Sequence, residues 1–298
     1  MAVKAELSPS QAANGRKRLF MITVRSCAIA LFICVAGCWA LHAQSAQPTN
    51  NILFNTLMIK CGGEAGTMFS VDVDNRQYWL TAKHILTGRT SGPAGEFSQK
   101  TVWLQVLEPV GNEIKWNSTQ FDVIDPGKDI DIVALVPTTK LQASDMPALK
   151  LSSANFGIGA ECSFLGFPYA NTWTATLSTS AGLISYKMPF IKHCYISGII
   201  QPLGVLVLDG INNPGFSGGP VLYNTGPSQV VIGVISGYHV EPGEVHSVEL
   251  PDTSTAVGTK KKKEDVVDLN SGIILAYSTN AAVDAIRKNP IGRPVEPK

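Results

Sequence analysis

"NNPGFSGGPVL", residues 212–222, sets one serine among three glycines and two prolines. Glycine is costly to order and is kept where φ must be positive or another backbone must come close. Proline fixes φ and removes a donor, so Pro214 and Pro220 bracket a turn of defined shape. Two readings follow. In one, the stretch is a tight loop entering a strand, because "PVLY" after Gly219 has β character. In the other it is a nucleophile loop, in which Gly215 and Ser217 aim backbone N–H groups at a developing oxyanion. The rest of the chain decides between them.

Outward from this loop the sequence is a succession of short β patterns. "GTMFSVDV", "QYWLTA", "TVWLQVLE", "DIVALV", "ECSFLGF", "GVLVLDG", "VVIGVIS" and "GIILAYS" are separated by Gly, Pro, Asn, Asp or Ser, and "NILFNTLMI" near Asn50 reads the same way. Such spacing is that of an all-β barrel or sandwich. The missing alternation with long helical patterns argues against a parallel α/β sheet. Only "NAAVDAIRK", 280–288, reads as a helix, with Asn280 able to cap it. A turn-rich seam at 136–151 divides the chain into two β-rich parts, 50–140 and 141–288. The second part carries a polar insertion at 241–271 that includes "KKKKED". This run reads as a solvated loop, or else as a basic rim touching substrate or an anionic surface. The Pro-rich tail, 289–298, is expected to be disordered.

A serine needs a base to become a nucleophile, and the base needs an orienting group. The chain has five histidines. His84, in "YWLTAKHIL", follows an apolar strand and a small-residue turn. Asp131 opens "DIVALV", a carboxylate at the mouth of a strongly apolar strand, where it needs a donor such as an imidazole N–H. Asp125 and Asp129 are its rivals. The order His84, Asp131, Ser217 matters, because Gly215–Gly219 also fits the G-x-S-x-G elbow of α/β-hydrolases, which requires serine first and histidine last. After Ser217 come only His239 and His246, with no aspartate between Ser217 and either of them.

The N-terminus reads as an export leader. "GRKRLFMITVR" is a basic flank, Ser26 to Ala43 an apolar run, and a polar stretch follows. Residues 1–43 would then be a signal peptide cleaved after Ala43, giving a periplasmic or extracellular protein. Two alternatives stay open: "VAGC", 35–38, resembles a bacterial lipobox that would lipidate Cys38, and the run would also serve as an uncleaved membrane anchor. Cys61, Cys162 and Cys194 remain beyond the leader. They read as a bridge between Cys162 and Cys194 or as buried apolar thiols. The absence of paired CxxC spacing speaks against a metal site built from Cys162, His193 and Cys194. A formal net charge of +1, with 16% charged and 45% hydrophobic residues, gives no reason to expect a nucleic-acid partner. "NST" at Asn117 is a glycosylation sequon without an assigned context.

Together "LTAKH", "DIDIVAL" and "GFSGGPV" resemble the trypsin/chymotrypsin-like serine proteases, and in detail the bacterial trypsin-like peptidases related to the Deg proteases. The resemblance covers roughly residues 50–288. It implies an all-β fold of two perpendicular six-stranded antiparallel β-barrels with a cleft between them, and an exported serine endopeptidase with no cofactor or metal and a polypeptide as its partner. It makes Ser217 the nucleophile, His84 the general base and Asp131 its orienting acid, with the N–H groups of Gly215 and Ser217 as the oxyanion hole. It also places substrate binding at "SGY", Ser236, Gly237 and Tyr238, and at Ile211. The apolar Ile211 disfavours cleavage after Arg or Lys, and Tyr238 narrowing the pocket favours small or medium apolar side chains. The chain departs from the family at Phe216, where zymogens have an aspartate and Deg-type enzymes usually an asparagine. No "IVGG"-like activation site follows the leader, and no stretch after the helix would make a PDZ domain. The rival reading is a catalytically silent fold acting as a binding or regulatory module, with Phe216 collapsing the oxyanion loop.

Overall fold

The computed structural model describes residues 50–88, 97–110, 113–141, 147–152, 156–179, 182–225, 228–244 and 266–295. The leader reading, with Cys38, lies outside them, as do residues 142–146 of the seam.

Strands β1 (Thr56–Cys61), β2 (Glu64–Val73), β3 (Arg76–Thr81), β4 (Thr101–Val110), β5 (Glu113–Ile124) and β6 (Val133–Pro137) form an antiparallel sheet. Its order is β3-β2-β1-β4-β5-β6, and β6 closes back onto β3, with Leu135 opposite Trp79. After β7 (Glu161–Gly166), a separate hairpin of β8 (Trp173–Thr179) and β9 (Gly182–Met188) intervenes. The second barrel is completed by β10 (Phe190–Ile200), β11 (Val205–Asp209), β12 (Pro220–Asn224), β13 (Gln229–Glu244) and β14 (Val266–Ser278), in the closed order β10-β11-β14-β13-β12-β7. The fold is therefore all-β: two six-stranded antiparallel barrels with a short C-terminal helix. Closure leaves neither barrel with a free edge.

Each barrel is filled by the inward half of its alternating strands. Ile59, Met68, Trp79, Leu104, Phe121 and Leu135 fill the first, and Phe164, Ile196, Leu208, Phe216, Val221 and Ile235 the second. A third cluster joins Val71, Leu80 and Val136 of the first barrel to Leu165, Leu222 and Val234 of the second. Short helix α1 (Asn50–Phe54) precedes β1, where the sequence reads as strand. Asn55 ends it by donating through Nδ2 to the Asn51 carbonyl at 2.8 Å. Phe54 then packs against Tyr186 of the β8–β9 hairpin, ring centroids 4.5 Å apart.

Three sequence expectations give way. The insertion starting at 241 is strand at both ends, with Val240 opposite Asn270 and Glu244 opposite Val266, so β13 and β14 extend as a long ribbon. Its lysine run lies outside the described residues. The C-terminal helix (Asn280–Lys288) starts at Asn280 itself, with Thr279 in the N-cap position. It packs against β5 and β6 of the first barrel rather than belonging to the second, burying Ala282 and Ile286 in the shared cluster. The tail, expected to be disordered, is ordered through Val295. Residues Arg293–Pro294 form β15 against β3, and the Arg293 guanidinium donates to the carbonyls of Pro137 and Thr138 at 3.1 and 2.9 Å. Gly292 lies against the fully buried Tyr78 ring, its N–H donating to the phenol oxygen at 3.1 Å. The local sequence is polar and Pro-rich, so its order comes from tertiary pairing.

The turn after β3 leads into helix α2 (Lys83–Thr87), closed by Gly88 in the left-handed region. Lys83 is fully buried. Its ammonium lies 2.6 Å from Asp125 Oδ1 and donates to the Gly127 carbonyl at 2.5 Å. Asp125 also accepts from the N–H groups of Phe97 and Gly127. Asp125 is thus occupied in stapling the 125–131 loop to α2. Taking away the acid while the ammonium stays buried is costly. Asp125→Asn should lower the unfolding free energy by about 3 kcal/mol, the low end for breaking a buried pair, since Gly127 keeps its bond. Urea unfolding would measure it, and a wild-type midpoint would deny the staple. A Cβ on Gly292 would stand 2.3 Å from Tyr78 Cζ. Gly292→Ala should therefore cost about 1–3 kcal/mol by overpacking, and an unchanged midpoint would mean that the tail does not dock.

Candidate active site

His84 is the second residue of α2, so its ring leaves the helix where the turn after β3 delivers it. Its Nδ1 lies 2.7 Å from Asp131 Oδ2, and its backbone N–H donates to Asp131 Oδ1 at 2.8 Å. Asp131 is buried at the entry to β6, and its own carbonyl accepts the Lys83 N–H. Both carboxylate oxygens are thereby committed to one residue, which fixes the ring position and puts the Nδ1 proton toward the acid. Asp129 does not reach this point; its carbonyl accepts the Tyr277 hydroxyl at 3.4 Å.

A further donor comes from the other barrel. Ser236 Oγ makes a short hydrogen bond to Asp131 Oδ2. Ser236 occupies a register shift of β13, because Ile235 pairs with Ala276 and Gly237 with Leu275. The extra residue of such a bulge is left unpaired and re-aims its side chain. The sequence reading assigns Ser236 to substrate binding and misses this bond to the acid. A bulge in an otherwise regular β run leaves no composition signal.

Ser217 sits in the loop between β11 and β12. Its Oγ donates to the Ser236 carbonyl at 3.1 Å, and no hydrogen bond joins it to His84 among the described residues. Ser236 is therefore the link: its carbonyl holds Ser217 and its hydroxyl holds Asp131. The loop is gripped from both sides. Thr67 of β2 donates its N–H to the Ser217 carbonyl and its hydroxyl to the Gly215 carbonyl, each at 2.8 Å. Phe167 N–H donates to the Gly215 carbonyl at 3.3 Å and Tyr169 N–H to the Pro214 carbonyl at 2.7 Å. Gly215 has φ +99°, and a Cβ there would lie 2.1 Å from the Phe167 carbonyl oxygen, so only glycine fits. With these carbonyls engaged, the N–H groups of Gly215 and Ser217 have no acceptor among the described residues. Unpaired backbone donors are rare away from solvent or ligand, and here two flank one hydroxyl.

Phe216 is turned into the core. Its fully buried ring belongs to the second-barrel core and packs edge-on against Phe164, centroids 5.0 Å apart. Lys192 stands over the same ring at 5.3 Å. The other candidate residues lie around the loop. Ile211 is exposed at 62%. The Gly237 carbonyl accepts from Asn212 Nδ2 at 3.3 Å, and Tyr238 of β13 pairs with Ile274 of β14.

Cys162 and Cys194 stand opposite each other on β7 and β10, buried, with sulfurs 3.0 Å apart as free thiols; the expected bridge is not formed. The adjacent Cys162 sulfur and burial push the Cys194 thiol pKa up. His193, between them in sequence, alternates to the outer face and meets Glu161 at 3.4 Å. Strand alternation thus keeps the imidazole away from the two sulfurs.

Comparison with known proteins bears on this arrangement. No curated protein matches the chain in sequence. Among solved structures, the HtrA-type protease AlgW with tripeptide is 15% identical with a TM-score of 0.48. The match covers 80% of this chain, which spans about 60% of that protein. The Rv3671c protease of M. tuberculosis, in an inactive form, is 14% identical over 82% of this chain and 98% of that one, with a TM-score of 0.42. Deg5 is 18% identical over 61% and 78%, with a TM-score of 0.41. Residues 66–234 match the trypsin-like peptidase domain. The match takes in Thr67, His84, Asp131 and the whole Ser217 loop, stops just short of Ser236, and spans more than half of the sequence: the chain belongs to the trypsin-like peptidase family.

Proposed function

We propose that this protein is an exported serine endopeptidase that hydrolyses polypeptides through Ser217, His84 and Asp131 and an acyl-enzyme intermediate. The observation that carries the reading is the pair of unpaired amides, Gly215 and Ser217, on either side of a hydroxyl whose partner Ser236 also binds the acid that holds His84. Asp131 at Nδ1 leaves His84 Nε2 as the basic nitrogen. A change of Ser217 χ1 rotamer, with substrate bound, transfers its hydroxyl from the Ser236 carbonyl to Nε2; such contacts often tighten only in the complex. His84 then takes the Oγ proton as Oγ attacks the scissile carbonyl. The oxygen that becomes anionic is received by the amides of Gly215 and Ser217, each worth roughly 3–4 kcal/mol at the transition state. His84 returns the proton to the leaving amine; water then attacks the acyl ester, giving a proton to His84, which passes it to the departing Ser217 Oγ as the acid product leaves.

Ser236 is a second donor to the Asp131 oxygen that faces the ring. Ile211, Ser236, Gly237 and Tyr238 would bind substrate. Ile211 supplies no carboxylate, which disfavours a basic side chain, and Tyr238 narrowing the pocket favours small or medium apolar ones. The basic flank and apolar run of residues 1–43 support export to the periplasm or outside the cell. Lipidation at Cys38 or retention of the run as an anchor are the alternative fates, and the mass of the mature N-terminus distinguishes them.

A second reading, a catalytically silent binding module, has one observation on its side: Ser217 Oγ bonds to Ser236 rather than His84. Intact-mass measurement after incubation with a fluorophosphonate separates the two. One adduct on the wild type and none on Ser217→Ala is expected, with peptidase activity of Ser217→Ala down by at least about 10⁴-fold. A folded wild type without adduct would hand the case to the silent module. Ser236→Ala should stay folded and lose roughly 10–100-fold in kcat, the value of one hydrogen bond to a charged group. Wild-type kcat in that variant would remove Ser236 from the mechanism.

A further inference from the structure

β10 carries a lysine where its alternation calls for a core residue. Cys194 and Ile196 point inward, His193 and Tyr195 outward, and Lys192 falls on the inward set. Its stem rises beside Phe164, its register partner on β7. Its half-buried ammonium turns to the serine loop. It donates to the Ile211 carbonyl at 2.8 Å and to Asn213 Oδ1 at 2.5 Å, and lies 5.3 Å above the Phe216 ring. All three contacts fall within residues 211–216, the segment that delivers Ser217. Charge-assisted hydrogen bonds are roughly twice as strong as neutral ones, and an ammonium over an aromatic face adds to them.

Asn213 spreads the effect. Its carbonyl accepts the Phe216 N–H at 3.3 Å, its Nδ2 donates to the Tyr169 hydroxyl at 3.2 Å, and its N–H is taken by Asn212 Oδ1 at 2.8 Å. Tyr169 in turn holds the Pro214 carbonyl. Tyr169 and Ala170 both have positive φ, 52° and 57°. Strain of this kind persists only where surrounding structure over-determines it. The brace therefore runs from Lys192 through Asn213 to the turn that grips the loop from its far side.

We propose that Lys192 is the positioning residue of this site: its ammonium holds the 211–216 segment so that the Gly215 and Ser217 amides converge, making the loop self-ordered without an added activator. The inference rests on the proposed role of Ser217, and it supplies the order that Phe216, an apolar residue, cannot obtain by pairing with a charge.

Hydrogen exchange by mass spectrometry over peptides spanning 208–218 tests the brace without requiring catalysis, and the fluorophosphonate labelling rate tests its consequence. Lys192→Met keeps the stem and removes the charge. At least tenfold faster exchange is expected at 210–217, with the β7 and β10 amides unchanged, together with at least tenfold slower labelling. Lys192→Arg should recover much of both. Asn213→Ala, which removes one acceptor and leaves the lysine in place, should shift the same amides and serves if Lys192→Met does not fold. Wild-type exchange at 210–217 in folded Lys192→Met, or wild-type labelling by that variant, overturns the inference. If the wild type takes no label while the exchange responds, the brace stands and the protease reading falls. If the wild type labels and the exchange does not respond, the reverse holds.

Discussion

Thr67, a buried residue in the middle of β2, holds the carbonyls on both sides of Phe216: Gly215 through its hydroxyl and Ser217 through its N–H, each at 2.8 Å. The geometry of the site depends on this grip, because Thr67 belongs to the first barrel and the serine loop to the second. Gly218 marks how close the approach is, since a Cβ there would stand 2.0 Å from the Thr67 carbonyl oxygen. The N–H groups of the same two peptides turn the other way, Phe216 donating to the Asn213 carbonyl at 3.3 Å and Gly218 to the Ile235 carbonyl at 2.7 Å. The Thr67 bonds thus fasten the serine loop of the second barrel to the first.

Ser236 makes the complementary crossing. It lies on the second barrel and its hydroxyl reaches Asp131 on the first, while its carbonyl holds Ser217. The candidate residues therefore do not divide into one set per barrel joined by an empty cleft. Each barrel contributes a polar group that satisfies buried polar atoms of the other, and a buried carboxylate left without its donors would be costly. Behind this polar seam the shared apolar cluster, extended by Ala282 and Ile286, buries the remaining contact between the barrels.

The parts legible in sequence were those carried by local pattern. Glycines at 215, 218 and 219 announced a loop under close approach, and the apolar runs ahead of His84 and after Asp131 placed an imidazole and a carboxylate at strand ends. The alternating runs announced strands, and the two barrels were what the resemblance carried by the three motifs implied. What stayed hidden depended on partners far along the chain. Lys83 looks like an exposed cation until Asp125 is found beside it, and Asp125 looks like a rival acid until the lysine claims it. Ser236 needed the bulge, and the tail after Lys288 needed the flank of β3. Phe54 and Tyr186 meet across more than a hundred residues, so neither the start of β1 nor the placement of the β8–β9 hairpin was readable locally.

Phe216 shows how local and distant information combine. From sequence it was a departure that threatened the loop, because an apolar side chain next to the serine offers no charge to pair. In the fold it is a core residue of the second barrel, fully buried against Phe164, with Gly166 left without a side chain so that the Phe216 backbone can lie close to it. Burying a phenylalanine in this way contributes about 2–3 kcal/mol, an anchoring strength comparable with a buried ion pair but without its desolvation penalty. An apolar anchor, however, fixes where the loop sits and not which way its peptide planes face. That second task needs directional bonds, and they come from the Tyr169 N–H on the Pro214 carbonyl and the Gly219 N–H on the Phe216 carbonyl, which set the peptide planes of the Gly215 and Ser217 amides. Division of the work between a non-directional anchor and directional clamps accounts for how a loop without an aspartate next to its serine keeps two amides free.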